Sequence, residues 1–187
     1  MSKYHHKDEN RIQQLKQLGF AEQSMLVAKD ACALAIRDDE KMNDSERMII
    51  SAGMTTLYCS PFTQGNGIGT LDESYSRFQD STFKSLHAAL LDIRHRFYSH
   101  RDVDNAVVVL EGVEIPFHEV IIRINHAGGA ALGTPYIFFR KVHFIKIEKL
   151  CEFQADRLNK KQCKLLLQLQ TRHKKPFGSY TLGKDYP

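Results

Sequence analysis

The strongest constraint on the fold is a series of apolar residues that recur every three or four positions between residues 8 and 37. In an α-helix this spacing places the side chains on one face, so the segment predicts a long amphipathic helix. Gly19 lies inside the series and marks a point where the helix could bend or divide. We expect the buried face to contain Ile12, Leu15, Leu18, Met25, Ala28, Cys32 and Ala35.

The same periodicity indicates three further helices. A second helix is predicted over about 45–59, where Asn43 and Glu46 have the spacing of a capping box. A third begins near Asp80 or Ser81, either of which can cap it, and continues to residue 99. A fourth covers about 138–170. We expect the second helix to bury Met48, Ile49, Ala52 and Thr56, and the third to bury Phe83, Leu86, Leu90, Ile93 and Phe97.

The pattern changes after Asp102. The segment "AVVVLEGVEIPFHEVIIRI" is rich in β-branched residues and is interrupted by Gly112 and Pro116, which favours two short strands or a hairpin. The sequence therefore predicts an all-α helical bundle of about four long helices, with a small β-hairpin insertion at about 103–137 between the third and last helices. We expect one domain over 1–187, with a basic C-terminal tail at 172–187.

Composition narrows the class of protein. The chain has 187 residues, of which 42% are hydrophobic and 26% charged, and its formal net charge is +4. These values are typical of a globular protein, and no apolar run approaches the ~20 residues that a membrane helix requires. The N-terminus has no apolar segment of the kind found in secretory signals. We expect a cytoplasmic protein with no membrane partner.

The cysteines and histidines give no metal-binding pattern. Four cysteines are present without CxxC spacing, which argues against a zinc ribbon and against a disulfide framework. The spacings of His118, His126 and His143 fit no closed zinc site. The sequence therefore predicts reduced thiols, no bound metal and no cofactor.

A basic segment lies near the C-terminus. Between Arg157 and Lys175 there are seven Lys or Arg residues and no acidic residue. Such a segment is either a solvated helix face or a surface that attracts phosphate groups. Lys160, Lys161 and Lys164 span just over one helical turn and are our candidate phosphate ligands.

A second concentration of charge lies at the end of the third helix, in "SLHAALLDIRHRFYSHRD", residues 85–102. On a helical wheel, Arg94 and His100 each fall about 60° from the centre of the apolar stripe, on opposite sides. His87 and Tyr98 flank Arg94. A charged group at the border of a core requires a partner, a cleft or another subunit. This end of the helix is thus either a solvated terminus or an active site.

Arg94 and His100 have the spacing R-x5-H, with the polar residue His95 directly after the arginine. The segment "LDIRHRFYSHRD" resembles the R-x(4–6)-H motif of the HEPN superfamily, and is similar to the form found in its abortive-infection branches. The resemblance covers about a dozen residues, supported by a compatible order of helices. It implies an all-α homodimer that acts as a metal-independent endoribonuclease in toxin or phage-defence systems, with RNA as substrate.

The residue types suit that chemistry. His100 can move a proton to or from the 2′-OH or the leaving 5′-oxygen, and Arg94 can stabilise charge on the phosphate. The resemblance implies that two such helices meet at a dimer cleft, where His95 orients Arg94 and His100. Arg96, Arg101 and Tyr98 are our further candidates for RNA binding.

Two alternatives remain open from the sequence. The same cations would suit a helical nucleotide- or RNA-binding protein without turnover. The third hypothesis is a structural or partner-binding bundle whose basic helix is only solvated. The HEPN branch that pairs with nucleotidyltransferase antitoxins has a tyrosine shortly after its histidine, whereas here Arg101, Asp102 and Val103 follow. The missing tyrosine therefore argues against a nucleotidyltransferase antitoxin, while the resemblance leaves an antitoxin or defence-system partner as an expectation.

Overall fold

The computed structural model describes residues 3–63, 68–96 and 139–173, together with the backbone of four strands at 107–110, 113–116, 121–124 and 130–133. Side chains are described for 9–63, 68–96 and 139–171. Four α-helices form the bulk of these residues: α1 (Lys3–Arg37), α2 (Asp44–Cys59), α3 (Ser81–Ile93) and α4 (Lys141–His173). The predicted, mainly helical class is therefore confirmed.

The long helices α1 and α4 pack against each other in antiparallel orientation. Helix α1 continues through Gly19 without a break, and all seven positions of its predicted apolar face are buried. Polar contacts flank the apolar seam: Asn159 and Gln162 both donate to the Glu22 carboxylate, at 2.9 and 2.5 Å. The shorter helices α2 and α3 pack against this pair, α2 on α1 and α3 on α4.

Helix α2 has the predicted N-terminal cap but a different buried face. Asn43 Oδ1 accepts from the Glu46 backbone N–H at 3.0 Å, and the Glu46 carboxylate accepts from the Asn43 N–H at 2.9 Å, which completes the capping box. The predicted burial of Ile49 and Thr56 is wrong, since both are exposed, and Met48 and Ala52 are only half-buried. The buried positions are instead Ser51, Met54, Thr55, Tyr58 and Cys59.

Hydrogen bonding explains how a serine comes to occupy the core. The Ser51 hydroxyl donates to the Arg47 carbonyl within the helix at 2.7 Å and accepts from the Phe139 backbone N–H at 2.9 Å. A buried hydroxyl with both partners satisfied costs little. The face of α2 is thus set by its contact with the segment before α4.

Helix α3 begins as predicted, with Asp80 as its cap, accepting from the backbone N–H groups of Thr82 at 2.7 Å and Phe83 at 3.3 Å. Leu86, Leu90 and Ile93 are buried, while Phe83 is half-buried. The expected continuous helix is observed over the described residues 81–96, with regular α geometry up to Ile93 and π geometry at 94–96. Residues 97–99 lie outside the described part of the chain.

Between α3 and α4 the described backbone forms two antiparallel strand pairs. Strand β1 (Val107–Leu110) pairs with β2 (Val113–Pro116), and β3 (Ile121–Ile124) pairs with β4 (Ala130–Gly133). The sequence led us to expect one hairpin in this segment, and the described strands form two separate two-stranded sheets.

Helix α4 starts three residues later than predicted and extends to His173. Phe139 precedes it and is fully buried, as are Phe144, Ile147 and Leu150 in its first turns. Among the described helices, none combines the length and apolar character that crossing a membrane would require.

Candidate functional site

Arg94 occupies the position where α3 changes from α to π geometry. Its backbone N–H donates to the carbonyl groups of both Leu90 and Leu91, and its side chain is half-buried next to the fully buried Ile93. Burial raises the pKa of the Cys59 thiol to about 12, and the positive charge of Arg94 partly opposes that rise. The Arg94 guanidinium therefore interacts electrostatically with Cys59 at the buried C-terminal end of α2. The border position expected from the helical wheel is therefore observed.

The remaining residues of the motif are only partly described. His95 is exposed. Arg96 is also exposed and forms an i,i+4 ion pair with Asp92 at 2.7 Å, which is a weak surface interaction that a phosphate could replace. Tyr98, His100 and Arg101 lie outside the described residues, so the proximity of Arg94 and His100 stays a prediction.

His87, which we expected beside Arg94 at the edge of the stripe, is instead a core residue. It is 5% exposed and packs against the rings of Phe62 and Phe78, with ring centroids 4.7 and 5.1 Å apart. Its Nδ1 shares a hydrogen bond of 2.8 Å with the Tyr58 hydroxyl. Desolvation lowers the pKa of His87 to about 4, so the imidazole is neutral at pH 7.

A second charged centre lies around Arg157 of α4. Its guanidinium donates to the carbonyl groups of Ser74 at 2.9 Å and Tyr75 at 3.2 Å, and to Gln154 Oε1 at 3.0 Å. Its Cζ also lies 5.2 Å from the centroid of the Tyr75 ring. These contacts attach the 3-10 turn Glu73–Ser76 to α4.

The turn and α4 form two walls of an open surface cleft with a volume of about 620 Å³, to which α1 contributes Gln14. All three lysines predicted as phosphate ligands line this cleft. Lys160 is paired with Asp156 at 2.5 Å. Within the described part of the chain, no hydrogen bond or ion pair holds Lys161 or Lys164. The remaining lining residues are Asp72, Ser74, Tyr75 and Arg157.

Sequence reasoning identified the lysines but not the opposite wall. Arg157 was visible only as one member of a basic segment, and nothing in the sequence associated it with Tyr75, which is about eighty residues earlier. The one available signal was that Arg157, Lys160, Lys161 and Lys164 have the i, i+3, i+4, i+7 spacing of a single helix face.

The described residues contain no group of three or more His, Cys, Asp or Glu side chains arranged to hold a metal ion. Comparisons of the chain with models of known protein families, with curated proteins and with solved structures found no match.

Proposed function

We propose that this chain is a metal-independent endoribonuclease of the HEPN type, acting on RNA in the cytoplasm as a toxin or phage-defence effector. The observation that carries the proposal is the position of Arg94, the arginine of the R-x5-H motif, at a π turn on the border of the core. Turns of this kind are rare and occur frequently at functional sites.

The environment of Arg94 favours an anionic ligand. A guanidinium remains charged at any physiological pH, and half-burying it next to the apolar end of α3 has a cost unless an anion compensates. Within the described residues, no carboxylate or carbonyl group binds the Arg94 side chain. A phosphate group of RNA would provide two oxygen atoms for the guanidinium.

The reaction that we propose uses the RNA's own nucleophile. His100 removes the proton of the 2′-OH, the 2′-oxygen forms a bond to phosphorus, and the bond between phosphorus and the 5′-oxygen breaks. The leaving 5′-oxygen takes a proton, which gives a 2′,3′-cyclic phosphate and a free 5′-OH. Arg94 stabilises the charge on the phosphate in the transition state.

In this proposal two copies of the chain form a homodimer, so that a second histidine can supply the proton to the leaving oxygen. His95 orients the catalytic pair. Arg96, Arg101 and Tyr98 contact the RNA on either side of the scissile phosphate, and an antitoxin or defence-system protein controls the activity. The resemblance of the motif supports these assignments.

The test is cleavage of labelled RNA in excess EDTA by the wild-type protein and by Arg94→Ala and His100→Ala. We expect each substitution to reduce the rate by at least ~100-fold, because it removes charge stabilisation or proton transfer. The matched control is Arg37→Ala, which removes an exposed arginine at the end of α1 and should cleave at the wild-type rate.

Circular dichroism and light scattering on the same variants separate catalysis from structure. Arg94 and His100 are polar residues that the helical wheel places at the border of the apolar stripe, so we expect helical content and oligomeric state to remain unchanged. Wild-type cleavage by His100→Ala would exclude its role as acid or base. If both variants lose their fold, the motif has a structural role instead of a catalytic one.

A second candidate function is RNA binding without turnover. The cleft lined by Lys160, Lys161 and Lys164 favours it, because these cations can bind phosphate groups without any catalytic residue. Saturable RNA binding by a wild-type protein that cleaves no RNA would establish this alternative. Absence of both binding and cleavage would leave a bundle that binds a protein partner.

A further inference from the structure

We propose that the cleft between α4 and the Glu73–Ser76 turn binds RNA as a single strand, with backbone phosphates on Lys161 and Lys164 and a base stacked on Tyr75. The proposal rests on the proposed function for the identity of its ligand, RNA. It adds the substrate class, single-stranded RNA, and a residue outside the basic segment, Tyr75.

The charge of the cleft favours a polyanion. Arg157, Lys160, Lys161 and Lys164 contribute four positive charges from one face of α4, and Asp72 contributes one negative charge from the opposite wall. Asp72 already has a structural role, because its carboxylate accepts from the Ser74 backbone N–H at 2.9 Å. Hydrogen bonding with the Ser74 side chain, and then with its backbone N–H, lowers the pKa of Asp72. Lys161 and Lys164 are the lysines most available to a ligand, since Lys160 is paired with Asp156.

Arg157 has a different role from that of the lysines. Its guanidinium donates to three oxygen atoms of the protein and stacks on aromatic rings, so its hydrogen-bonding capacity is largely occupied. We assign it the role of a positioning residue that fixes the backbone of Ser74 and Tyr75. The Tyr75 ring is half-buried against the core, lines the cleft and has the Arg157 guanidinium over one face. It is therefore held in place before any ligand arrives, and a base would stack on its other face.

A single strand fits this combination better than a duplex does. Proteins that bind single strands without sequence preference combine a positively charged groove with aromatic side chains on which bases stack. In a duplex the bases are stacked on one another, so Tyr75 would contribute nothing to its binding. A cleft of about 620 Å³ also suits one or two nucleotides inserted as a strand.

The experiment measures fluorescence anisotropy of a short 2′-O-methyl RNA, which binds as RNA does but lacks the nucleophile. Binding is thereby measured without cleavage. We compare the single strand, its duplex and adenosine monophosphate. The wild-type protein should bind the single strand at least ~10-fold more tightly than the duplex or the mononucleotide. Equal affinity for the duplex, or for the mononucleotide, would overturn the proposal.

Variants then test the two walls. Tyr75→Leu should weaken binding of the single strand by about 5- to 100-fold, whereas Tyr75→Phe, which keeps the ring, should bind within about 2-fold of wild type. Lys161→Gln with Lys164→Gln should weaken binding by ~10-fold or more. The matched control is Lys141→Gln with Lys149→Gln, which removes the same charge from exposed positions in the first half of α4.

The outcomes separate this proposal from the catalytic one. Unchanged binding by Tyr75→Leu, or equal losses in the two lysine pairs, would overturn the cleft assignment whether or not the protein cleaves RNA. Single-strand binding that depends on Tyr75, Lys161 and Lys164 would support it even if the wild-type protein cleaves nothing. In that case only the endoribonuclease proposal fails. Thermal unfolding of each variant confirms that the fold is retained.

Discussion

At the scale of single residues, His87 shows how the fold decides what a histidine can do. Desolvation by the surrounding rings disfavours the imidazolium, and the hydrogen bond to the Tyr58 hydroxyl satisfies one ring nitrogen. Within the described residues no partner is found for the other nitrogen, Nε2. A buried neutral histidine of this kind packs the core and is a poor candidate for proton transfer at pH 7.

The first prediction at this scale concerns pH. The ordinary pKa of His87 is 6.5 and its folded pKa is about 4, so between these values the unfolded chain binds more protons than the folded chain. The free energy of unfolding should therefore fall as the pH decreases from 6.5 to 4, by on the order of 3 kcal/mol from this residue. Urea unfolding of the wild type and of His87→Gln at a series of pH values measures this decrease in the free energy of unfolding.

The variant should have a lower free energy of unfolding at pH 7 but a shallower decline below pH 6.5, because glutamine does not titrate. The carboxyl groups titrate in both proteins and add the same pH dependence to the free energy of unfolding of each. Parallel curves for wild type and variant would show that His87 does not charge on unfolding.

At the scale of elements, α4 combines two surfaces. Leu158, Leu165 and Leu169 are buried, whereas Lys160, Lys161 and Lys164 are exposed on another face of the same turns. The burial fixes the helix, and the helix in turn fixes the spacing of the cations. Phosphate binding by such a row depends mainly on charge, with little requirement for geometry.

The prediction at this scale is the salt dependence of RNA binding. Replacing Lys160, Lys161 and Lys164 together by Gln should weaken the affinity and flatten the slope of log K against log salt concentration by about 1.4. In the proposed complex Lys161 and Lys164 contact phosphate groups while Lys160 is paired with Asp156, and each phosphate contact with a single strand contributes about 0.7. The cleavage rate on saturating RNA should change far less, because uniform binding does not lower the barrier. An unchanged slope would mean that this face of α4 is only solvated.

At the scale of the whole molecule, three helices contribute cysteines to the core. Cys32 of α1, Cys59 of α2 and Cys151 of α4 are fully buried, and desolvation raises the pKa of each thiol, for Cys32 and Cys59 to about 12. Cys163 is exposed on α4. A thiolate is the reactive form of cysteine, so packing makes the three core thiols unreactive.

Thiol titration tests this arrangement of the helices. Of the four cysteines in the chain, one should react rapidly with an aromatic disulfide reagent in the native protein and all four should react in denaturant. Cys163→Ser should abolish the rapid phase while leaving three thiols that appear only on unfolding. A second rapidly reacting thiol in the native protein would contradict the packing of α1, α2 and α4.

Local features of the chain were predictable from the sequence. The apolar face of α1 follows from helical spacing, since all seven predicted positions are buried. A second apolar row on another side of the helix is exposed and contains Phe20, Val27 and Leu34. The Asn43 and Glu46 capping box and the Asp80 cap are also local, because they involve residues within three positions of each other. The same local geometry placed Arg94 at the border of the core and put the three lysines on one face.

What the sequence by itself determined is therefore the helices, their caps and the charge pattern of each helix face. Tertiary structure alone decided the buried face of α2, where a hydrogen bond from the Phe139 N–H to Ser51 favours a polar residue over the apolar Ile49. It also decided that His87 joins the core and that Arg157 holds Tyr75 opposite the lysines. Each of these features depends on contacts between residues 29 to 88 positions apart in the sequence. Helical periodicity cannot predict such contacts, because it shows only which side of its own helix a residue lies on.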